Sequence, residues 1–379
     1  MIPMKQASLL NGWLFLAVIF AGFLSLLYPV GHFFVTEPAA WQQFRQGELV
    51  RKLERRVDEE FVLRKPSIAF WADTSFLLFK AGRPGVLVGE KDWLFSREEY
   101  YYDSRSERFL ADNLAQLAAT VCVLEGLGKQ VLLVPVPAKR RLYAQWSARP
   151  VSTGMDALYQ RITGALSDSH IAWVDTLGLM QRAASQGAVF MRTDTHWSPL
   201  GAQVVAAGVA LNLSLPGSHH YETRELRVEP YEGDLLRYLP TSEGVGPVRK
   251  EPLMRYETAA VDQMLDAQAL LGDDLPPVAL VGTSYSAMDE WHFSGFLKQQ
   301  LSEDVLVYAL EAQGPFAAMR EFLDGPAARD ERVRYVLWEV PERALIQSME
   351  PIVREEHHAC MDRDTGHAAE LAGVGSPGR

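Results

Sequence analysis

No Asp, Glu, Lys or Arg occurs between Lys5 and Glu37, and this uncharged stretch constrains the chain more than any other feature. As a helix, Leu9 to Tyr28 is long enough to cross a hydrocarbon core of about 30 Å, with Trp13 and Tyr28 as interface residues. A cleaved signal peptide is the competing reading. Its apolar region would be unusually long, and Pro38-Ala39-Ala40 puts proline at the first critical position of a cleavage site. An uncleaved single-pass anchor is therefore expected over residues 1–36. Lys5 and the amino terminus on one side, with Glu37 on the other, orient the N-terminus inward and leave the body of the protein outside the cytoplasmic membrane.

The remaining sequence is that of a globular protein. A hydrophobic content of 48% with 22% charged residues provides for a sizeable core, and 379 residues permit one large α/β domain or two smaller ones. Residues 37–80 read as a helical connector, with charge clusters at Arg51-Lys52-Leu53-Glu54-Arg55-Arg56 and Asp58-Glu59-Glu60 marking a solvated face. Gly82-Arg83-Pro84-Gly85 then breaks the chain, and a domain over 81–350 follows. Within it, helices near Phe109–Leu127, Asp156–Leu166, Pro199–Leu211, Ala287–Leu301 and Pro315–Leu323 alternate with strands at Gln130–Pro135, Ile171–Asp175, Val278–Val281, Val305–Ala309 and Val333–Val340. Helices between apolar strands predict a mostly parallel sheet covered on both faces. Ser198 before Pro199 is a candidate helix cap. Leu215 to Leu275 is irregular and reads as a small β-rich insertion lining one side of a site, with an exposed strand at Tyr221–Val228. Residues 351–379 read as a polar, flexible tail.

Two segments carry chemistry. Thr193-Asp194-Thr195-His196-Trp197 places a carboxylate two residues from an imidazole, and in extended backbone these side chains share a face. A carboxylate that orients an imidazole is two thirds of a nucleophile-activating triad. Val278-Ala279-Leu280-Val281-Gly282-Thr283-Ser284-Tyr285-Ser286 reads as a buried strand turning sharply into a helix with Ser284 at the turn. Ser286 fits a capping pattern with Asp289, so it has a structural role open to it that Ser284 lacks.

These motifs resemble those of the bacterial exopolysaccharide O-acetyltransferases of the alginate (AlgJ/AlgX) type. Three further segments are similar to the same family: Gly85-Val86-Leu87-Val88-Gly89-Glu90-Lys91-Asp92-Trp93-Leu94-Phe95, Val134-Pro135-Val136-Pro137-Ala138-Lys139 and Trp338-Glu339-Val340-Pro341-Glu342-Arg343. The resemblance implies a three-layer α/β/α domain like that of SGNH hydrolases, with Ser284 as nucleophile, His196 as base and Asp194 as its orienting partner. Here the Asp/His block precedes the serine, the reverse of ordinary SGNH enzymes, but a triad is defined by geometry rather than chain order. The resemblance also implies an inner-membrane protein with its catalytic domain in the periplasm. Acetyl groups would arrive from a membrane-bound O-acyltransferase partner, with other polysaccharide secretion components alongside and no soluble cofactor.

Lys139, Arg192, Trp197 and Tyr285 are candidates for binding substrate, with helix-end solvation or packing beside the triad as the plainer alternatives. Glu342 and Arg343 have a structural ion pair as theirs. Metal ligation by Asp194 and His196, aided by His219-His220 or His357-His358, is disfavoured because those pairs lack the spacing of zinc enzymes. Cys122 reads as a small buried hydrophobe, and whether it pairs with Cys360 does not follow from two cysteines alone. A net charge of −11 argues against nucleic acid and offers no global attraction to an anionic polysaccharide, which would need a local basic groove. Alginate-like and cellulose-like acceptors both stay open, as do an acetylesterase using the same triad and a non-catalytic glycan-binding or export scaffold.

Overall fold

The computed structural model describes residues 4–36, 47–147, 149–213, 215–261 and 275–352. Cys360, His357, His358 and nearly all of the tail lie outside them. The chain divides into two compact units, residues 1–81 with 239–246, and residues 82–238 with 247–379.

The first unit holds three helices, α1 (Met4–Thr36), α2 (Glu48–Glu60) and α3 (Arg64–Phe79). Asn11–Thr36 within α1 has a mean hydropathy of 2.2, so it is long and apolar enough to cross a membrane. Of the expected connector, Glu48–Glu60 and Arg64–Phe79 are the helices α2 and α3. Its α2 carries the charge clusters, with Arg56 bonded to Glu60 one turn on at 3.0 Å.

The second unit begins with a hairpin of β1 (Val86–Val88) and β2 (Leu94–Ser96), followed by α4 (Ser104–Gly126), β3 (Gln130–Val136), α5 (Thr153–Asp168), α6 (Thr176–Ala183) and α7 (Pro199–Asn212). An antiparallel ribbon of β4 (Tyr221–Tyr231) and β5 (Glu251–Ala260) comes next. The chain closes with β6 (Val278–Gly282), α8 (Phe293–Leu301), β7 (Val305–Ala309), α9 (Gly314–Asp324) and β8 (Tyr335–Pro341). The main sheet has the order β3-β8-β6-β7 and is parallel throughout.

Successive strand residues face opposite ways, so each strand feeds two cores. Leu132, Val134, Leu280 and Leu337 meet Ala202, Val205 and Val209 of α7 and Phe293 and Phe296 of α8 on one face. On the other, Leu133, Val281, Val336 and Trp338 meet Leu117 and Leu124 of α4, Ile162 of α5 and Phe322 of α9. This is the expected three-layer α/β/α arrangement. Burial on both faces explains the unbroken apolar run Val278-Ala279-Leu280-Val281, every residue of which is sealed from solvent.

Two expected elements differ. Ile171–Asp175 is not a strand; it makes a single bridge, Leu133 to Trp173, before Asp175 caps α6. The helix expected at Ala287–Leu301 is broken into one turn, Ser284–Ala287, and α8. Between them the chain leaves helical geometry at Met288 and turns through a left-handed His292 (φ 54°). The detour turns Trp291 into the core, where it is fully buried.

Ser198 caps α7 as expected: its Oγ accepts the Gly201 N–H at 3.2 Å and donates to the Ala188 carbonyl at 2.6 Å, with Pro199 opening the helix. Ser198→Ala removes a cap and strands a carbonyl, so it should cost about 1–2 kcal/mol in denaturant unfolding. An unchanged midpoint would mean that α7 is held by its apolar face alone.

Candidate active site

The strand β6 ends at Gly282, where an added Cβ would lie 2.6 Å from both Glu339 Oε2 and Ser286 Oγ. Only glycine lets the buried Glu339 carboxylate come this close to the backbone. Glu339, near the end of β8, accepts the Thr283 N–H at 2.6 Å, the Thr283 hydroxyl at 3.0 Å and the Ser286 hydroxyl at 3.2 Å. Ser284 therefore sits at the tip of a turn held on both sides, and it alone of the three candidate triad residues is only half-buried. Ser286 does not cap a helix as expected; its hydroxyl is committed to Glu339. Burial pushes the Glu339 carboxyl up to about 7, against these hydrogen bonds and the charge of His196.

The Asp/His segment is fixed just as fully. His196 Nδ1 lies 2.5 Å from Asp194 Oδ1, an oxygen that also accepts the His196 backbone N–H at 2.9 Å. The second Asp194 oxygen accepts the Tyr231 hydroxyl and the Asp234 N–H, both at 2.8 Å. Burial works to raise the Asp194 pKa. The bond and charge of His196 and the backbone donors outweigh it, holding the carboxyl well below the usual range. Across the cleft, His196 Nε2 lies 2.7 Å from Ser284 Oγ. With Asp194 ionised, Nδ1 donates to it, leaving Nε2 to accept the serine proton. Trp291 stacks on the imidazole at 5.3 Å between centroids, and Tyr285 flanks it at 4.7 Å.

Carboxylates also hold the backbone around the pair. Glu251 accepts the N–H groups of Arg192 at 2.9 Å and Thr193 at 2.7 Å, while Asp234 accepts the Thr195 N–H and hydroxyl at 2.8 Å each. Gly233 permits this, since a Cβ there would lie 2.3 Å from the Thr193 backbone. Asp194, His196 and Asp234 present ligand atoms within 4.8 Å of one another. All of them are already engaged, those of Asp234 with Thr195 and those of the other two with each other, Tyr231, backbone and Ser284. His219 and His220 are exposed and stand outside this group.

Three of the four expected substrate contacts are corrected. Lys139 is fully buried, its Nζ donating to the carbonyls of Met191 (3.2 Å), Arg192 (3.1 Å) and Asp194 (2.7 Å). Its role is to hold the Asp/His segment from below, and burial lowers its pKa to about 8. Trp197 is sealed between Tyr285 and Phe293. Tyr285 is buried as well, donating to the Thr195 carbonyl at 2.8 Å and accepting from Arg343 at 3.0 Å. Arg192 is exposed and open to a ligand. Glu342 and Arg343 each form an ion pair, but not with each other: Glu342 pairs with Arg141 at 2.8 Å and Arg343 with Glu98 at 3.3 Å.

Glu339→Gln tests the support beneath Ser284. A carboxyl raised from 4.5 to about 7 keeps in the native state a proton that the unfolded chain releases. The stability it contributes is thus present below pH ~4.5 and lost as pH rises through about 7, a change on the order of 3 kcal/mol. Unfolding curves between about pH 5 and pH 8 should flatten in the variant, on top of a constant loss from opposing its amide to three donors. Parallel curves for both proteins would show that Glu339 does not titrate there.

A family model described as the SGNH hydrolase-like domain of acetyltransferase AlgX matches residues 86–342. A Pseudomonas putida protein named probable alginate O-acetylase AlgJ is 36% identical over 85% of this chain and 88% of its own length. Its namesake in Pseudomonas aeruginosa is 37% identical over 79% and 80%. The solved O-acetyltransferase domain of Pseudomonas putida AlgJ superposes with a TM-score of 0.65 at 31% identity, covering 74% of this chain and 100% of that one. The structure of Pseudomonas aeruginosa AlgX shares the fold at 19% identity and a TM-score of 0.51.

Proposed function

The chain belongs to the AlgX acetyltransferase family with its SGNH hydrolase-like domain, and from that premise we propose that Ser284, His196 and Asp194 carry acetyl groups onto hydroxyls of a secreted exopolysaccharide. The observation that carries the reading is the unbroken run from Ser284 Oγ through the His196 ring to Asp194, at 2.7 and 2.5 Å. Ser284 Oγ attacks the carbonyl carbon of an acetyl donor and its proton passes to His196 Nε2. In this reading the Ser284 backbone N–H, at the head of the turn, donates to the developing oxyanion. Collapse returns the proton to the departing group and leaves an acetyl ester on Ser284. A sugar hydroxyl then attacks this ester, giving its proton to the same nitrogen, and collapse restores the serine. Through both steps the ionised Asp194 stabilises the imidazolium, and Tyr231, whose phenol burial and Asp194 push far above its ordinary pKa, stays a donor.

The relatives are named for alginate, which makes an alginate-like chain the first acceptor to test. The donor in this reading is a membrane-bound O-acyltransferase partner, and α1 anchors the protein beside it, N-terminus inside, in the inner membrane. Protease added to spheroplasts should then digest the body of the protein and leave α1 with the membrane. A fully protected chain would put the site on the wrong side for a secreted polymer.

Ser284→Ala, His196→Ala and Asp194→Ala should each lower acetyl transfer roughly a thousandfold or more, and the triple variant should lose little beyond that, because the three act as a unit. An activated acetyl ester should place one acetyl group on Ser284, read by mass spectrometry. Acetyl found only on lysines would remove the covalent intermediate, and acetate release without glycan modification would make the protein an esterase.

A further inference from the structure

Ser284 follows β6, and the segment after β8, the neighbouring strand, lies at the same carboxyl edge of the sheet. At such edges ligands bind. A cavity of about 550 Å³ opens there, walled by Arg97, Glu98, Tyr101, Arg105, Phe109 and Gln347. Its walls are fastened together, since the buried Asn113 amide of α4 donates to the carbonyls of Leu345 at 2.9 Å and Gln347 at 2.8 Å. Two contacts join it to the nucleophile's neighbour: Glu98 pairs with Arg343, and Arg343 donates to the Tyr285 hydroxyl. None of these lining residues has a part in the acetyl-transfer steps above.

The lining has the chemistry of a saccharide site. The Tyr101 ring is 50% exposed, yet its hydroxyl is tied to Asp103 at 3.0 Å, so it offers a preordered face for the C–H side of a sugar. Glu98 is neutralised by Arg343, and Asp103 by Arg105 at 3.1 Å. Arg97 has no ion-pair partner among the described residues, so its guanidinium is available to a ligand in the cavity. Arg is the side chain best shaped to bind a carboxylate with two parallel hydrogen bonds. In a chain of net charge −11, this local cation is what an anionic polymer requires.

We propose that this cavity is an acceptor subsite that binds a carboxylated sugar of the glycan, Tyr101 stacking on the ring and Arg97 taking the carboxylate, while a neighbouring unit reaches Ser284. The assignment rests on the acetyl-transfer reading, yet it is tested by binding alone. The probe is an oligomannuronate titrated calorimetrically into the full-length protein in detergent. Tyr101→Ala and Arg97→Gln should each weaken binding roughly tenfold or more. Arg97→Lys should recover part of the loss, and added salt should weaken the wild type more than Arg97→Gln. Acetyl-ester labelling of Ser284, run on the same samples, reports separately on the chemistry. No binding of the oligomannuronate, or affinity unchanged in both Tyr101→Ala and Arg97→Gln, overturns the subsite, whatever the labelling shows. Labelling that fails while binding behaves as expected counts against the acetyl-transfer reading and leaves the saccharide site standing.

Discussion

The Lys139 ammonium, enclosed between the sheet and the Asp/His segment, spends all three of its protons on the carbonyls of Met191, Arg192 and Asp194. A buried charge is expensive unless every donor is matched, and here the matching is with backbone, so the charge and the loop geometry stabilise each other. From that grip the rest follows. With the Asp194 backbone fixed from below, its carboxylate can take four donors at once and still face His196 squarely. With His196 oriented, its second nitrogen meets Ser284 at hydrogen-bond distance. The lowered Lys139 pKa reflects what the burial costs, opposed by the nearby carboxylates of Glu99 and Asp194.

The two halves of the site solve the same problem with opposite kinds of group. A buried cation holds the carbonyls of the Asp/His segment, and a buried carboxyl, Glu339, holds the donors of the serine turn. The halves meet through the His196–Ser284 contact and through Tyr285, whose hydroxyl donates to the Thr195 carbonyl. Burial raises both carboxyls; a direct hydrogen bond from His196 helps hold Asp194 ionised, whereas Glu339, bonded only to neutral donors, is pushed up to about 7.

Much of this was legible in the residues. The apolar runs at Gln130–Pro135 and Val278–Val281 give strands because burial on both faces leaves no polar alternation to confuse them, and Val305–Ala309 gives a partly exposed edge strand. Asp194, His196 and Ser284 could be singled out because each is a reactive group placed where regular structure ends. Lys139, Trp197 and Tyr285 misled for one reason: residue type suggested a surface role, while their neighbours in space, far apart in sequence, form a closed shell. Tyr231, Asp234 and Glu251 gave no signal, and Glu339 stood in a family-like segment without a role, because residues that brace the triad from outside follow no spacing rule. Two signals were available, an acid inside the otherwise apolar β8 and the Gly233-Asp234 pair just after β4. The helix break before Trp291 was invisible, since packing on His196 overrides local propensity.

The strand order carries a further consequence for how the protein comes into being. β8 is the last strand among the described residues, yet it lies between β3 and β6. Until it arrives, the earlier strands are separated: β3 stands apart from the β6-β7 pair, and the serine turn lacks the carboxylate that shapes it. A chain still folding thus carries an unshaped serine turn until β8 has followed. Completion of the sheet and shaping of the turn that holds Ser284 are one event.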